Sequence, residues 1–89
     1  MKVIKIGAVW CSGCQIMKPR WAEIEKENSW LKTTYLDYDQ NTDEVKKYGA
    51  VEVLPVSIFL DEAGKEFLRL EGEISKAKIL EIINDSKDK

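Results

Sequence analysis

Cys11 and Cys14 are the only cysteines of the 89-residue chain, and Ser12 and Gly13 separate them. Thiols at this spacing can exchange with a disulfide, hold a soft metal ion or close a structural bridge. A bridge across so short a loop restricts the unfolded chain little, so it stabilises weakly. The chain has no histidine, which excludes a four-ligand zinc site of cysteines and histidines and a cysteine–histidine nucleophile. A redox-active pair is the first hypothesis, and a Cu(I) carrier is the alternative.

The segments around the pair predict that the two sulfurs differ. Residues 2–10 are rich in Val and Ile and predict a strand that ends at the cysteines. A helix to about residue 28 should follow, because four residues fall on one of its faces: Cys14, Met17, Trp21 and Ile24. Cys14 then faces inwards. Cys11 is expected to be partly open to solvent at the helix N-terminus, where unpaired backbone N–H groups favour a thiolate.

This difference between the sulfurs indicates an order of events. Cys11 would attack a substrate disulfide as a thiolate and form a mixed disulfide with the substrate. Cys14, which keeps its proton until then, would displace the substrate and close the Cys11–Cys14 bond. The pair therefore favours a dithiol–disulfide oxidoreductase.

Beyond the first helix, the pattern predicts a small mixed sheet with helices packed on it. The predicted elements are a strand at 31–39, a short helix from the N-cap Thr42 to Gly49, strands at 56–60 and 65–70 joined by a hairpin, and a last helix capped by Ser75. The order is βαβαββα, an α/β fold of four strands and three helices. At this length the chain is expected to form one domain, residues 1–89.

Composition and charge restrict the expected partners and compartment. The net charge is −2, with basic and acidic residues interleaved, so we expect no binding to nucleic acid or to an anionic membrane. Lys5 interrupts the first apolar run, whereas the apolar region of a signal peptide carries no charge. No apolar segment is long enough to span a membrane. We therefore expect a cytoplasmic protein. In that compartment a lone Cys-x-x-Cys pair is more often catalytic or metal-binding than structural.

The segment DYDQN at 37–41 invites a calcium hypothesis, because Asp37, Asp39 and Asn41 stand at spacings of two. Thr42 occupies the position at which a calcium loop needs glycine, and Tyr48 the position at which it needs a bidentate glutamate. A solvated loop is the better interpretation.

The segment Trp10-Cys11-Ser12-Gly13-Cys14, with Pro19 five residues beyond the second cysteine, resembles the active-site segment of thioredoxins. The resemblance continues in DYDQN, in KYGAVEVLP at 47–55 and in Gly72, so it covers nearly the whole chain in the same order. The extra N-terminal strand and helix of the full-length family have no counterpart. The chain is therefore similar to short, minimal thioredoxins, which implies a thioredoxin fold.

The resemblance also implies a function and the residues that carry it. A short thioredoxin would reduce protein disulfides with Cys11 as nucleophile and Cys14 as resolving cysteine, and a thioredoxin-reductase-type donor would return the electrons. Pro55 would be a cis-proline opposite the pair, at the kind of bond where cis peptides occur. Substrate contacts would come from Trp10, Ser12, Gly13, Leu54 and Gly72. Neither a cofactor nor a metal is implied, and we expect a monomer.

Several positions depart from the family pattern. Ser-Gly stands between the cysteines where the common thioredoxin has Gly-Pro. Lys5 occupies the position of the family's buried acid, and Tyr35 that of its partner lysine. We expect the Lys5 side chain to extend to solvent, since a long stem can cover apolar surface while its charged head stays in water. One residue is inserted between Gly49 and Pro55, with an effect expected only in that loop.

A glutathione-dependent reductase similar to glutaredoxins is the alternative within the redox class. Glutaredoxins carry Thr-Val-Pro at the glutathione site, whereas this chain has Val53-Leu54-Pro55. Trp10 directly before Cys11 also resembles thioredoxins. The thioredoxin-like interpretation is therefore preferred.

Overall fold

The computed structural model describes residues 1–49 and 51–88. Along these residues the elements are β1 (Lys2–Gly7), α1 (Ser12–Glu27), β2 (Lys32–Asp37), α2 (Thr42–Lys46), β3 (Val56–Leu60), β4 (Glu66–Glu71) and α3 (Lys76–Asp85). This is the predicted βαβαββα order, so the predicted α/β class is confirmed. The strand limits differ from the predicted ones by a few residues, and the largest change is at the end of β1.

The four strands form one mixed sheet in the order β2-β1-β3-β4. β1 runs parallel to β2 and antiparallel to β3, and β3 and β4 form an antiparallel hairpin. A parallel pair needs a long crossover, and α1 supplies it between β1 and β2. The central strand β1 therefore leads directly into the turn that carries the cysteines.

β1 ends at Gly7, three residues before the predicted limit. The next residues turn into α1, and the Cys11 backbone N–H closes this turn by donating to the Ala8 carbonyl at 3.2 Å. Val9 and Trp10 lie in the turn and are 75% and 65% exposed. The predicted strand was too long because Val9 and Trp10 are apolar, and a sequence pattern does not distinguish buried from exposed apolar residues.

Helices cover both faces of the sheet, and each face has its own core. One core joins β1 and β3 to α1 and α3, with Val3, Trp21, Phe59 and Ile79 among its buried residues. The other joins β1, β2 and β3 to α2, with Ile6, Leu36, Val45 and Ile58 among its buried residues. β3 is buried along its whole length because both of its faces are covered.

The apolar stripe of α1 is confirmed. The buried residues of this helix are Cys14, Met17, Trp21 and Ile24, the four that the helical spacing predicts. Trp21 packs against Phe59 of β3 with ring centroids 6.4 Å apart. This contact fixes α1, and with it the cysteine-bearing turn, on the sheet.

The two predicted helix caps have different outcomes. Ser75 is the N-cap of α3, and its hydroxyl oxygen accepts the Lys78 backbone N–H at 3.1 Å, as predicted. The prediction of Thr42 as N-cap of α2 is wrong, since Asn41 is the N-cap residue. The Asn41 side chain accepts the Asp37 backbone N–H at 2.8 Å instead of a helix amide. It therefore closes the loop after β2.

Candidate active site

Cys11 and Cys14 form a disulfide at the start of α1, with their Cα atoms 5.2 Å apart. Cys11 is the N-cap residue in an extended conformation, and its sulfur accepts the Cys14 backbone N–H at 3.2 Å. The sulfur takes the place that a Ser or Asp oxygen fills at many helix starts. The unpaired amides and the positive end of the helix dipole therefore lie at Cys11, as predicted.

The two cysteines are buried to the same extent, each with 8% of its surface exposed. The prediction that Cys11 is the more exposed of the two is wrong for this disulfide-bonded structure. A tertiary contact explains the burial of Cys11, since Leu54 packs against the small cluster of Ala8 and the two cysteines. The sulfurs differ in their surroundings instead: Cys11 borders an open groove, and Cys14 borders a separate cavity.

The groove beside Cys11 has a volume of about 390 Å³. Its lining residues are Trp10, Cys11, Ser12, Gly13, Leu54, Pro55, Gly72 and Glu73. They include all of the predicted site residues except Cys14, so three separate segments of the chain meet here. Glu73 is an addition that sequence analysis missed, and its place directly after Gly72 was the only signal for it.

Pro55 lies opposite the turn between the cysteines. Its peptide bond with Leu54 is cis, as predicted. A Cβ atom on Gly13 would lie 3.2 Å from the Pro55 Cδ, so this close approach depends on a residue without a side chain. The Gly72 N–H donates to the Pro55 carbonyl at 2.7 Å, and Gly72 has a φ of +82° that favours glycine. Pro55 is therefore held between the start of α1 and the end of β4.

Trp10 is held at the rim of the groove by a polar contact. Its Nε1–H donates to the Asp39 carboxylate at 2.7 Å, which ties the turn before α1 to the loop after β2. Val53, near the groove, is 47% exposed. Exposed apolar side chains beside a reactive group are typical of an interaction surface. Sequence analysis missed the role of Asp39 because 29 residues separate it from Trp10.

A second cavity, of about 340 Å³, lies next to Cys14. A Cβ atom on Gly7 would lie 3.1 Å from both the Cys14 sulfur and the Tyr35 hydroxyl oxygen. The absence of a side chain at Gly7 therefore lets these two groups pack over the end of β1. The polar residues that line the cavity are Lys5, Gln15, Lys18, Tyr35, Asp37 and Ser57.

Lys5, which lines this cavity, forms an ion pair with Glu25 of α1. Its Nζ lies 2.7 Å from Glu25 Oε2, with the Lys5 side chain 18% exposed, and 5.8 Å from the centroid of the Trp21 ring. The expectation that Lys5 extends to solvent is wrong, because α1 covers this face of β1 and presents Glu25 and Trp21 to the ammonium group. No local spacing in the sequence predicts this ion pair, because 20 positions separate the two residues.

Tyr35 keeps its proton to a higher pH than an ordinary tyrosine. Although 53% of its surface is exposed, its pKa is raised above 10.0, first by partial desolvation of the hydroxyl beside the end of β1 and second by the negative charge of Asp37. The hydroxyl is therefore a hydrogen-bond donor across the neutral pH range. This group occupies the side of the cavity nearest to the end of β1.

The comparisons with known proteins agree with this geometry. The family model for thioredoxin matches residues 1–85 of the chain. The chain belongs to the thioredoxin family. A thioredoxin from Mycoplasma pneumoniae is 33% identical to it over 82 residues, which are 92% of this chain and 78% of that protein.

Solved thioredoxin structures share the fold. The Fasciola hepatica thioredoxin is 29% identical with a TM-score of 0.85, and the match covers 96% of this chain and 79% of that one. A thioredoxin from Nicotiana alata is 25% identical with a TM-score of 0.85 and coverage of 96% and 71%. As a member of the thioredoxin family with a bonded Cys11–Cys14 pair, the protein is a dithiol–disulfide oxidoreductase.

Within residues 1–49 and 51–88, no helix is both long and apolar enough to cross a membrane. The same residues contain no group of three or more Cys, Asp or Glu side chains arranged to hold a metal ion.

Proposed function

We propose that this thioredoxin-family protein reduces the disulfides of protein substrates through a mixed disulfide on Cys11. The Cys11 thiolate attacks one substrate sulfur, the substrate S–S bond breaks, and the other sulfur leaves as a thiolate that takes up a proton. Cys14 then loses its proton and attacks Cys11, which closes the Cys11–Cys14 bond and releases the second substrate thiol. Two electrons pass to the substrate, and a thioredoxin-reductase-type donor returns them to the protein.

The assignment of Cys11 as nucleophile rests on its position at the start of α1. Its sulfur accepts the Cys14 amide hydrogen bond and also borders the open groove, so the stabilised thiolate would face an incoming disulfide. Cys14 lines the cavity on the other side and has no place in the groove lining. The resolving role therefore falls to Cys14.

The other residues that line the groove are placed to bind a substrate segment. Cis Pro55 with the preceding Leu54 forms one wall, and Ser12 and Gly13 form the opposite one. An extended segment of a partner protein would lie between these walls, with backbone groups available for hydrogen bonds. Trp10 would add apolar contact area at the rim, where it is held by Asp39.

We propose that the protein works in the cytoplasm, as a monomer and one domain of residues 1–89, without a cofactor. A reducing compartment would keep the pair in the dithiol form that the first step requires. Cell fractionation and gel filtration of the purified chain test these points.

Insulin reduction tests the proposed reaction. The wild type, with a reductase system to recharge it, should reduce insulin much faster than Cys11→Ser, Cys14→Ser or the double variant, because each cysteine is needed for turnover. Ser29→Ala, an exposed change away from the groove, is the matched control and should keep full activity. A wild type no faster than the double variant would overturn the proposal, and tight Cu(I) binding by that inactive wild type would favour the metal-carrier alternative.

A trapping experiment tests the assignment of the two cysteines. The Cys14→Ser variant should accumulate a covalent complex with substrate, because the mixed disulfide forms on Cys11 and is not resolved. Mass spectrometry of the complex should place the substrate on Cys11, and Cys11→Ser should accumulate little complex. A complex that forms mainly through Cys14 in the Cys11→Ser variant would contradict the assignment.

A further inference from the structure

Glu73 places a carboxylate against the turn between the two cysteines. A Cβ atom on Gly13 would lie 3.5 Å from Glu73 Cγ and 3.6 Å from Glu73 Oε2. The glutamate therefore lies over Gly13, where glycine leaves room for it. Among the described residues that line the groove beside Cys11, Glu73 is the only charged one.

Arg20 and Lys76, which lie in this part of the fold, contact groups other than Glu73. The Arg20 guanidinium donates to the Ile74 carbonyl at 2.6 Å, and Lys76 Nζ lies 2.9 Å from Glu27 Oε2. Within the described part of the chain, Glu73 forms no ion pair, and its side chain is exposed. Its negative charge is therefore available to a group that enters the groove.

We propose that Glu73 selects substrates that carry a Lys or Arg next to the reacting cysteine. A substrate disulfide must enter the groove to reach the Cys11 sulfur, and the residue beside its cysteine then comes near the Glu73 carboxylate. A cation there gains an exposed ion pair with Glu73, whereas an anion meets like charge. This inference rests on the proposed function, because it names the substrate class of the same groove.

Oxidised glutathione carries net negative charge, so Glu73 disfavours its entry. The groove therefore favours protein disulfides flanked by basic residues over glutathione.

Three disulfide peptides that differ only in the residue next to cysteine test this inference: Lys, Gln or Glu. The rate constant for oxidation of the reduced protein by each peptide is measured at neutral pH and low salt. The wild type should react with the Lys peptide about fivefold faster than with the Glu peptide, the scale of one exposed ion pair. Added salt should reduce this ratio.

Charge variants at Glu73 separate its effect from the net charge. Glu73→Gln should remove most of the Lys-over-Glu preference and speed the reaction with oxidised glutathione, and Glu73→Lys should reverse the preference. Glu81→Gln makes the same net change at an exposed position on α3 outside the groove lining, and it should keep the wild-type ratio. Circular dichroism establishes that each variant is folded.

The neutral peptide distinguishes the two ways in which the experiment can fail. If the wild type reduces the Gln peptide well but treats the Lys and Glu peptides alike, or if Glu73→Gln keeps the full preference, the role of Glu73 is overturned and the proposed function stands. If the wild type reduces the Gln peptide no faster than the double cysteine variant, the proposed function fails and this inference fails with it.

Discussion

The Cys11 sulfur lies 3.2 Å from the backbone nitrogen of Cys14 and accepts its hydrogen bond. One cysteine is therefore both the cap of α1 and half of the redox pair, and the other supplies the amide that the cap binds. This relationship makes the two sulfurs unequal, although they are equally buried in the disulfide form.

Removal of the cap of α3 should destabilise the protein. Ser75→Ala loses the hydrogen bond from the Lys78 N–H, which should lower the free energy of unfolding by about 1 kcal/mol. Thr42→Ala is the matched control at a predicted cap that the structure does not use, and it should cost less than about 0.5 kcal/mol. Urea unfolding measures both, and an equal loss for the two variants would contradict the assignment of the caps.

A methyl group at Gly7 should strain the packing behind the disulfide. Gly7→Ala brings a Cβ atom to 3.1 Å from the Cys14 sulfur and the Tyr35 hydroxyl oxygen. It should lower the stability of the oxidised protein by about 1–3 kcal/mol, as overpacking does. Tyr35→Phe removes the contact with the hydroxyl oxygen and keeps the ring Cε1 at 3.2 Å, so the double variant should lose somewhat less than the sum of the single losses. Strict additivity in urea unfolding would argue against this contact.

The ion pair between Lys5 and Glu25 should contribute to stability. Glu25→Gln should lower the free energy of unfolding by about 1 kcal/mol, since the pair is partly buried. Lys5→Gln should cost more, because it also removes the cation over the Trp21 ring. The double variant should be little worse than Lys5→Gln alone. Glu25→Gln without any loss would show that the pair does not stabilise the fold.

Ionisation of Tyr35 should lower the stability of the protein at alkaline pH. Its pKa is raised above 10.0 by burial and then by Asp37. The folded state therefore holds this proton to higher pH than the unfolded chain, so the contribution to stability is present below pH 10.0 and is lost as pH rises through the folded pKa. Asp37→Asn should lower the Tyr35 pKa in part, because burial is the larger cause. Phenolate absorbance, with Tyr35→Phe to identify the signal, measures the shift, and an unchanged pKa would exclude Asp37 as a cause.

Local patterns in the sequence predicted the framework of the fold. The 3.6-residue spacing of Cys14, Met17 and Trp21 identified the buried face of α1, and Ser75 identified the start of α3. The order of elements followed from such patterns because each reports on its own segment. The end of β1 was predicted too late, since Val9 and Trp10 are apolar residues that remain exposed beside the active site.

Long-range contacts account for what the sequence did not predict. Equal burial of the two cysteines depends on Leu54, which is distant in sequence. Lys5 meets Glu25, and Glu73 reaches the groove only because β4 returns beside β3. No local spacing encodes such pairs, so the polar contacts of the candidate site required the structure.

The alkylation rate of each cysteine in the reduced protein shows most directly which sulfur is the more reactive. With limiting iodoacetamide at slightly acidic pH and peptide mapping by mass spectrometry, Cys11 should be modified about tenfold faster than Cys14, because the thiolate is the reactive form and the start of α1 favours it at Cys11. Equal rates for the two cysteines, or faster modification of Cys14, would contradict the claim that the start of α1 makes Cys11 the nucleophile.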